Sequence, residues 1–144
     1  MVTAILFGTG VLWLLAHYGM RAAGEFAMAH PLEPWSLRLH GLAVMLGLFL
    51  YGSLLRSHMI KGWNGRKNRA TGVLVVSVLV CLMFSGYLLY YVAGETLRPV
   101  VSAIHWGVGL ALGAALPLHV WCGRRQARSY HELHARHHRR KTRA

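Results

Sequence analysis

Acidic residues are scarce in this sequence. Only four of its 144 residues are Asp or Glu, and all charged residues together make up 14%. A soluble domain carries about a quarter charged residues, so this shortage argues against a fully water-exposed surface. The apolar stretches contain no acidic pair and no Ser–His–Asp set, so hydrolysis has no carriers. There are only two cysteines. Cys81 falls inside an apolar stretch and Cys122 at the end of one, which does not make a disulfide framework. Both read as small apolar residues. No Cys-x-x-Cys-His occurs, which excludes covalent c-type haem attachment. No repeat of fixed period is present, and the only biased segment runs from Tyr130 to Ala144.

Hydrophobic residues, by contrast, make up 55% of the chain, and mean hydropathy is +0.38. They fall into four blocks, roughly Val2–Met20, Trp35–Leu55, Thr71–Ala93 and Pro99–Trp121. Each approaches the ~20 residues that a ~30 Å hydrocarbon core requires. The sequence therefore predicts an all-α protein, a transmembrane four-helix bundle over residues 1–125, with a basic, His-rich tail over 126–144. The first block has no Lys or Arg before it, and the small-residue site Ala27-Met28-Ala29 lies past Arg21 and Glu25. It therefore reads as a retained helix, not a signal peptide. Local signals agree. Thr71 is placed to cap the third helix and Pro99 suits the first turn of the fourth. Asn64-Gly65 marks a turn, and Pro31 and Pro34 stiffen the entry to the second helix.

A net charge of +12 would suit a nucleic-acid binder, but its distribution points to a membrane. Arg56, Lys61, Arg66, Lys67 and Arg69 follow the second block. Arg124, Arg125, Arg128, Arg136, Arg139, Arg140, Lys141 and Arg143 follow the fourth. The other side has Arg21, Arg38 and Arg98, offset by Glu25, Glu33 and Glu95. This is a positive-inside pattern. It predicts both termini in the cytoplasm, a bacterial cytoplasmic membrane, a cytoplasmic face that favours anionic lipids and no nucleic-acid partner.

Four histidines stand out, because ionisable residues inside a membrane are costly and suggest function. His105 and His119 are fourteen residues apart. In an α-helix they share a face to within about 40° and are separated by about 21 Å. His40 and His58 are eighteen residues apart, five full turns, or about 27 Å. The second and fourth helices run parallel. His40 thus matches His105 in level near the external side, and His58 matches His119 near the cytoplasmic side. Each level offers two imidazoles from two helices, as a bis-histidine haem requires. The axial mismatch is roughly 3 Å per level, within reach of helix tilt or of Pro117. Gly47 and Gly109 lie near the ligand faces, where they would make room for a porphyrin or serve close helix packing. Arg38 and Arg98 flank the external pair, and Arg56 and Lys61 the cytoplasmic pair. These four would hold haem propionates or snorkel to the interface. His17 is the natural substitute for His40, with His30 close by.

With these residues in hand, the sequence resembles the small di-haem cytochrome b membrane subunits related to those of nickel–iron hydrogenases and formate dehydrogenases. The matching residues are His40-Gly41, His58, Asn68-Arg69-Ala70-Thr71-Gly72, Gly86-Tyr87, Tyr90-Tyr91, His105-Trp106-Gly107 and His119. The resemblance covers residues 30–125. It implies two non-covalent haems b carrying electrons between a quinone pool and a redox partner protein on the external side. The sequence departs from the family in the second helix, where the histidine spacing is longer than usual. Trp106, Tyr87, Tyr90, Tyr91 and Glu95 form an interface belt or wall a quinol site. His131, His134 and His138 would share a face if the tail were helical. The eight basic residues that follow the fourth block would repel a metal cation, so a solvated or lipid-bound tail is the simpler reading. Two alternatives compete with an electron-transfer subunit. One is a standalone oxidoreductase reducing a small acceptor. The other is a histidine-based metal-ion transporter, which would need polar groups at mid-membrane, where this chain is apolar.

Overall fold

A lipid-embedded backbone has to satisfy its own hydrogen bonds, and a helix does so within one segment. The computed structural model describes residues 1–20, 30–65 and 68–141, with side chains as far as residue 129. Among these residues the regular structure is all helical. Four helices are long and apolar enough to cross a membrane: α1 (Val2–Gly19), α2 (Leu32–Asn64), α3 (Arg69–Val92) and α4, whose spanning part is Arg98–Ser129. The helix of α4 itself runs on to Lys141. The first part of the basic tail, residues 126–141, lies within this helix. The side chains of His131, His134 and His138 lie outside the described residues, as do Arg21, Glu25, Arg66 and Lys67.

α2 and α4 overrun their apolar blocks, because a helix does not have to end where hydropathy falls. α3 begins at Arg69, with Asn68 at its cap in the left-handed region (φ 50°, ψ 37°). Thr71, expected as the cap, instead lies in the first turn and bonds back to Asn68. Asn tolerates that backbone region better than most residues. Pro99 does stand in the first turn of α4, and α2 ends at Asn64 as the Asn64-Gly65 turn suggested.

The chain forms two compact units, Met1–Ser57 and His58–Ala144. The first is an antiparallel hairpin of α1 and α2. Thr3 Oγ1 meets Tyr51 Oη at 2.8 Å at one end, and His17 Nδ1 meets Glu33 Oε2 at 3.0 Å at the other. The second is an antiparallel hairpin of α3 and α4. Thr71 stands opposite His119 and Ser85 opposite His105. Val75, Leu112 and Ala115 pack between these two levels, with Val78, Leu79, Leu82 and Leu116 around them.

Packing is inverted relative to a water-soluble protein. Among the described residues the buried ones are Thr9, Ala16, Ser36, Ala43, Gly47, Val75, Ser85, Ala93, Leu112, Ala115 and Glu33, nearly all small. Large apolar residues face outward instead, with Met45 70% and Phe49 78% exposed on α2. Small residues let helices approach where lipid, not water, covers the outer face.

Three stretches depart from α geometry into π turns: Leu15–Gly19, Leu55–Ile60 and Leu88–Val92. A π turn closes i to i+5 and so takes up an extra residue. The second of these contains His58. The straight-helix phase and the ~27 Å rise drawn from eighteen residues therefore do not carry through to His58.

Candidate functional site

His105 projects from α4 and is half-buried against α3. Its Nδ1 lies 2.8 Å from Ser85 Oγ. Its Cε1 passes so close to Gly86 that a Cβ there would sit 3.4 Å away. Ser85 Oγ also lies 2.7 Å from the carbonyl of Cys81, one turn back. Helical serines commonly make that back-bond.

His119 lies fourteen residues further along α4. Its Nδ1 is 2.9 Å from Thr71 Oγ1, and its Cε1 faces Gly72. Asn68 Nδ2 donates to the His119 carbonyl at 2.8 Å, while Asn68 Oδ1 accepts from Thr71 Oγ1. The left-handed cap of α3 is thereby tied to the imidazole on α4. Asn68 Nδ2 also passes 3.2 Å from His119 Nδ1. Of the two amide protons, one goes to the carbonyl at the shorter distance.

The ring of His58 stands 6.1 Å from that of His119, centre to centre, at an interplanar angle of 81°. Two imidazoles from two helices thus meet at one level of the second unit. His58 itself is exposed. In the first unit His40 is half-buried on α2, with Nδ1 2.9 Å from Thr9 Oγ1 and Cε1 beside Gly10.

The other anticipated residues divide by environment. Gly47 is buried, and a Cβ there would meet Tyr51, Leu6 and Val2 at 3.4–3.5 Å. Gly109 faces Leu82. Each faces side chains of the other helix of its hairpin. Arg38 is exposed and lies over the Trp35 ring at 5.2 Å, and Arg98 donates to the Ala93 carbonyl at 3.1 Å. Arg56 and Lys61 are exposed on either side of His58. His17 bonds Glu33 and stacks on Trp13 at 4.6 Å. His30 Nδ1 accepts from the Leu32 amide at 3.3 Å. Tyr91 contacts both Tyr87 and Tyr90, and all three are exposed, as are Trp106 and Glu95. Cys81 and Cys122 are free thiols.

Sequence reasoning missed the pairing of the Thr9, Thr71 and Ser85 hydroxyls with histidines; it took Thr71 for a cap, and Thr71-Gly72 and Gly86 entered only through the family resemblance. The signal was present: each hydroxyl residue is followed directly by glycine, in Thr9-Gly10, Thr71-Gly72 and Ser85-Gly86.

Among the described residues, no three His, Cys, Asp or Glu side chains converge as a metal cage. Two imidazoles are too few to enclose a bare divalent ion, which usually takes four or more ligands. They suffice for an iron whose other positions are filled by a porphyrin. No protein-family model, curated protein or solved structure matches the chain.

Proposed function

We propose that the chain is a membrane b-type cytochrome subunit. It carries electrons between the quinone pool and a redox partner protein through two bis-histidine haems. The observation that carries this reading is the pairing of His58 with His119. An imidazole–metal bond of about 2 Å on each side, plus roughly 1 Å from nitrogen to ring centre, separates two ring centres by about 6 Å across one metal. The observed separation is 6.1 Å. The near-perpendicular ring planes are compatible with this, because an imidazole can turn about its bond to the metal. His58 and His119 would hold one haem, with the exposed Arg56 and Lys61 available to its propionates. His40 and His105, matched by their spacing in the sequence, are the proposed ligands of the other, with Arg38 and Arg98 nearby in the sequence.

Bound haem supplies a one-electron couple. The chain's residues supply axial nitrogens, counter-charges and an apolar surround. The basic end is the proposed cytoplasmic face and contacts anionic lipids. The redox partner docks on the opposite side. A metal-ion transporter is disfavoured by the two-imidazole site and the apolar core between its levels.

The test is electron entry from a hydroquinone. In proteoliposomes, an added quinol reduces the haem, and His119→Ala abolishes reduction of the haem it holds. A chain whose haem stays oxidised under quinol, yet reduces with dithionite, would contradict the quinone-pool assignment.

A further inference from the structure

His40, His105 and His119 each stand on the second helix of a hairpin, and each meets the same two-residue device on the helix before it. The pairs are Thr9-Gly10 with His40, Ser85-Gly86 with His105, and Thr71-Gly72 with His119. The glycine admits the ring edge. A Cβ at Gly10, Gly86 or Gly72 would lie 3.8, 3.4 or 3.6 Å from Cε1 of its histidine. A methyl there would be in ordinary contact with the ring, and a side chain beyond alanine would press on it. The hydroxyl takes Nδ1. Other helical serines, Ser36, Ser53 and Ser129, bond only to their own helix's carbonyls in this structure. The histidine partner and the adjoining glycine set these three apart.

Counting protons fixes the imidazole tautomer. Thr9 Oγ1 lies 2.8 Å from the Ile5 carbonyl, and Ser85 Oγ lies 2.7 Å from the Cys81 carbonyl. Two oxygens that close repel unless a proton lies between them, and a carbonyl has none to give. The hydroxyl proton is therefore already committed. Thr71 is in the same position, with its proton on Asn68 Oδ1. The short contact from each hydroxyl to Nδ1 must then be filled by a proton on Nδ1. A neutral imidazole protonated at Nδ1 carries its lone pair on Nε2, the nitrogen that binds a metal. A hydroxyl that is already donating is also a better acceptor, because hydrogen bonds in a chain polarise one another.

We propose that Thr9, Ser85 and Thr71 are positioning residues for axial ligands. They lock the tautomer and ring rotation of His40, His105 and His119, and they set the electron donation of Nε2 to iron. This rests on the haem reading of the preceding subsection. A partner on the second nitrogen orients a ligating histidine and raises its basicity. A more basic ligand favours ferric over ferrous iron, so each clamp lowers the potential of the haem it serves.

The experiment compares Thr9→Val, Ser85→Ala and Thr71→Val with Thr9→Ser, Ser85→Thr and Thr71→Ser in the full chain. Potentiometric titration followed at the haem Soret band gives the ferrous-to-ferric ratio. Each apolar variant is expected to raise that ratio at fixed ambient potential by up to about tenfold, or about 59 mV for one electron. It should also lose haem 10- to 100-fold more readily to a haem scavenger. The hydroxyl-keeping variants should restore both. Unchanged potential and retention in all three apolar variants would overturn the proposal, as would equal shifts in the conservative set. A second readout does not depend on haem. Nitrogen NMR of the ¹⁵N-histidine-labelled chain in detergent should show the Nδ1–H tautomer at His40, His105 and His119. Protons on Nε2 instead would overturn the clamp. A chain without haem would defeat the cytochrome reading, and the tautomer would still judge the clamp.

Discussion

His119 is the most heavily held of the candidate ligands. Thr71 holds one edge of its ring, Asn68 holds its backbone carbonyl, Gly72 lies beside the ring, and His58 stands across from it. His119→Ala is expected to remove one haem per chain and leave the other, measured as haem-to-protein stoichiometry by pyridine haemochrome. His17→Ala should leave both haems in place, because His17 is occupied by Glu33 and Trp13. Loss of a haem on that change would make His17 a ligand instead of His40. Gly47→Leu should overpack the first hairpin against Leu6 and Val2 and cost about 1–3 kcal/mol, read as a lower melting temperature in detergent. Gly41→Leu should cost far less, since a Cβ at Gly41 meets nothing within 4 Å. The histidines were legible in the sequence because charge and polarity are conspicuous against an apolar background. Their hydroxyl partners were not. A Ser or Thr in a membrane helix usually satisfies itself on its own backbone, and only the antiparallel register reveals a second partner. Gly47 shows a related limit. Helical phase places a residue on a face without saying whether a helix or a cofactor covers that face.

The helices themselves were visible as apolar blocks, but their irregularities were not. Hydropathy has no term for a π turn, and Leu55–Ile60 reads in sequence like any other amphipathic end. Eighteen residues of straight helix would keep His58 on the His40 face, so this turn shifts His58 from that phase, and in the shifted position its ring stands across from His119. Deleting Ser57 should return the turn to α geometry and swing His58 by about 100°. The expected result is loss of the haem shared by His58 and His119, with the other haem kept, again by stoichiometry. The cap of α3 shows a second limit of sequence reading. Thr71 has the chemistry of a cap, yet Asn68 takes the left-handed position. The threonine hydroxyl is thereby left to bridge Asn68 and His119.

At the scale of the whole molecule, composition carried most of the information. Scarce acids, clustered bases and four apolar blocks define four membrane-length helices. The outward-facing large side chains and small-residue interfaces fit the same solvent. Arginine over tryptophan, Arg69 on Trp63 and Arg125 on Trp121, marks the basic end of the second unit. Such pairs suit a lipid–water boundary. The charge asymmetry predicts that reporters fused to either terminus lie on the cytoplasmic side. A fluorescent protein there should be bright and a periplasmic phosphatase inactive. The central claim is a di-haem cytochrome, and one measurement reaches it most directly. The full chain, purified in detergent from haem-replete cells, is examined by a reduced-minus-oxidised spectrum with pyridine haemochrome quantitation. About two haems b per chain, with the low-spin absorption of bis-histidine iron, is the expected result. A chain that purifies folded with no more than trace haem would contradict the account.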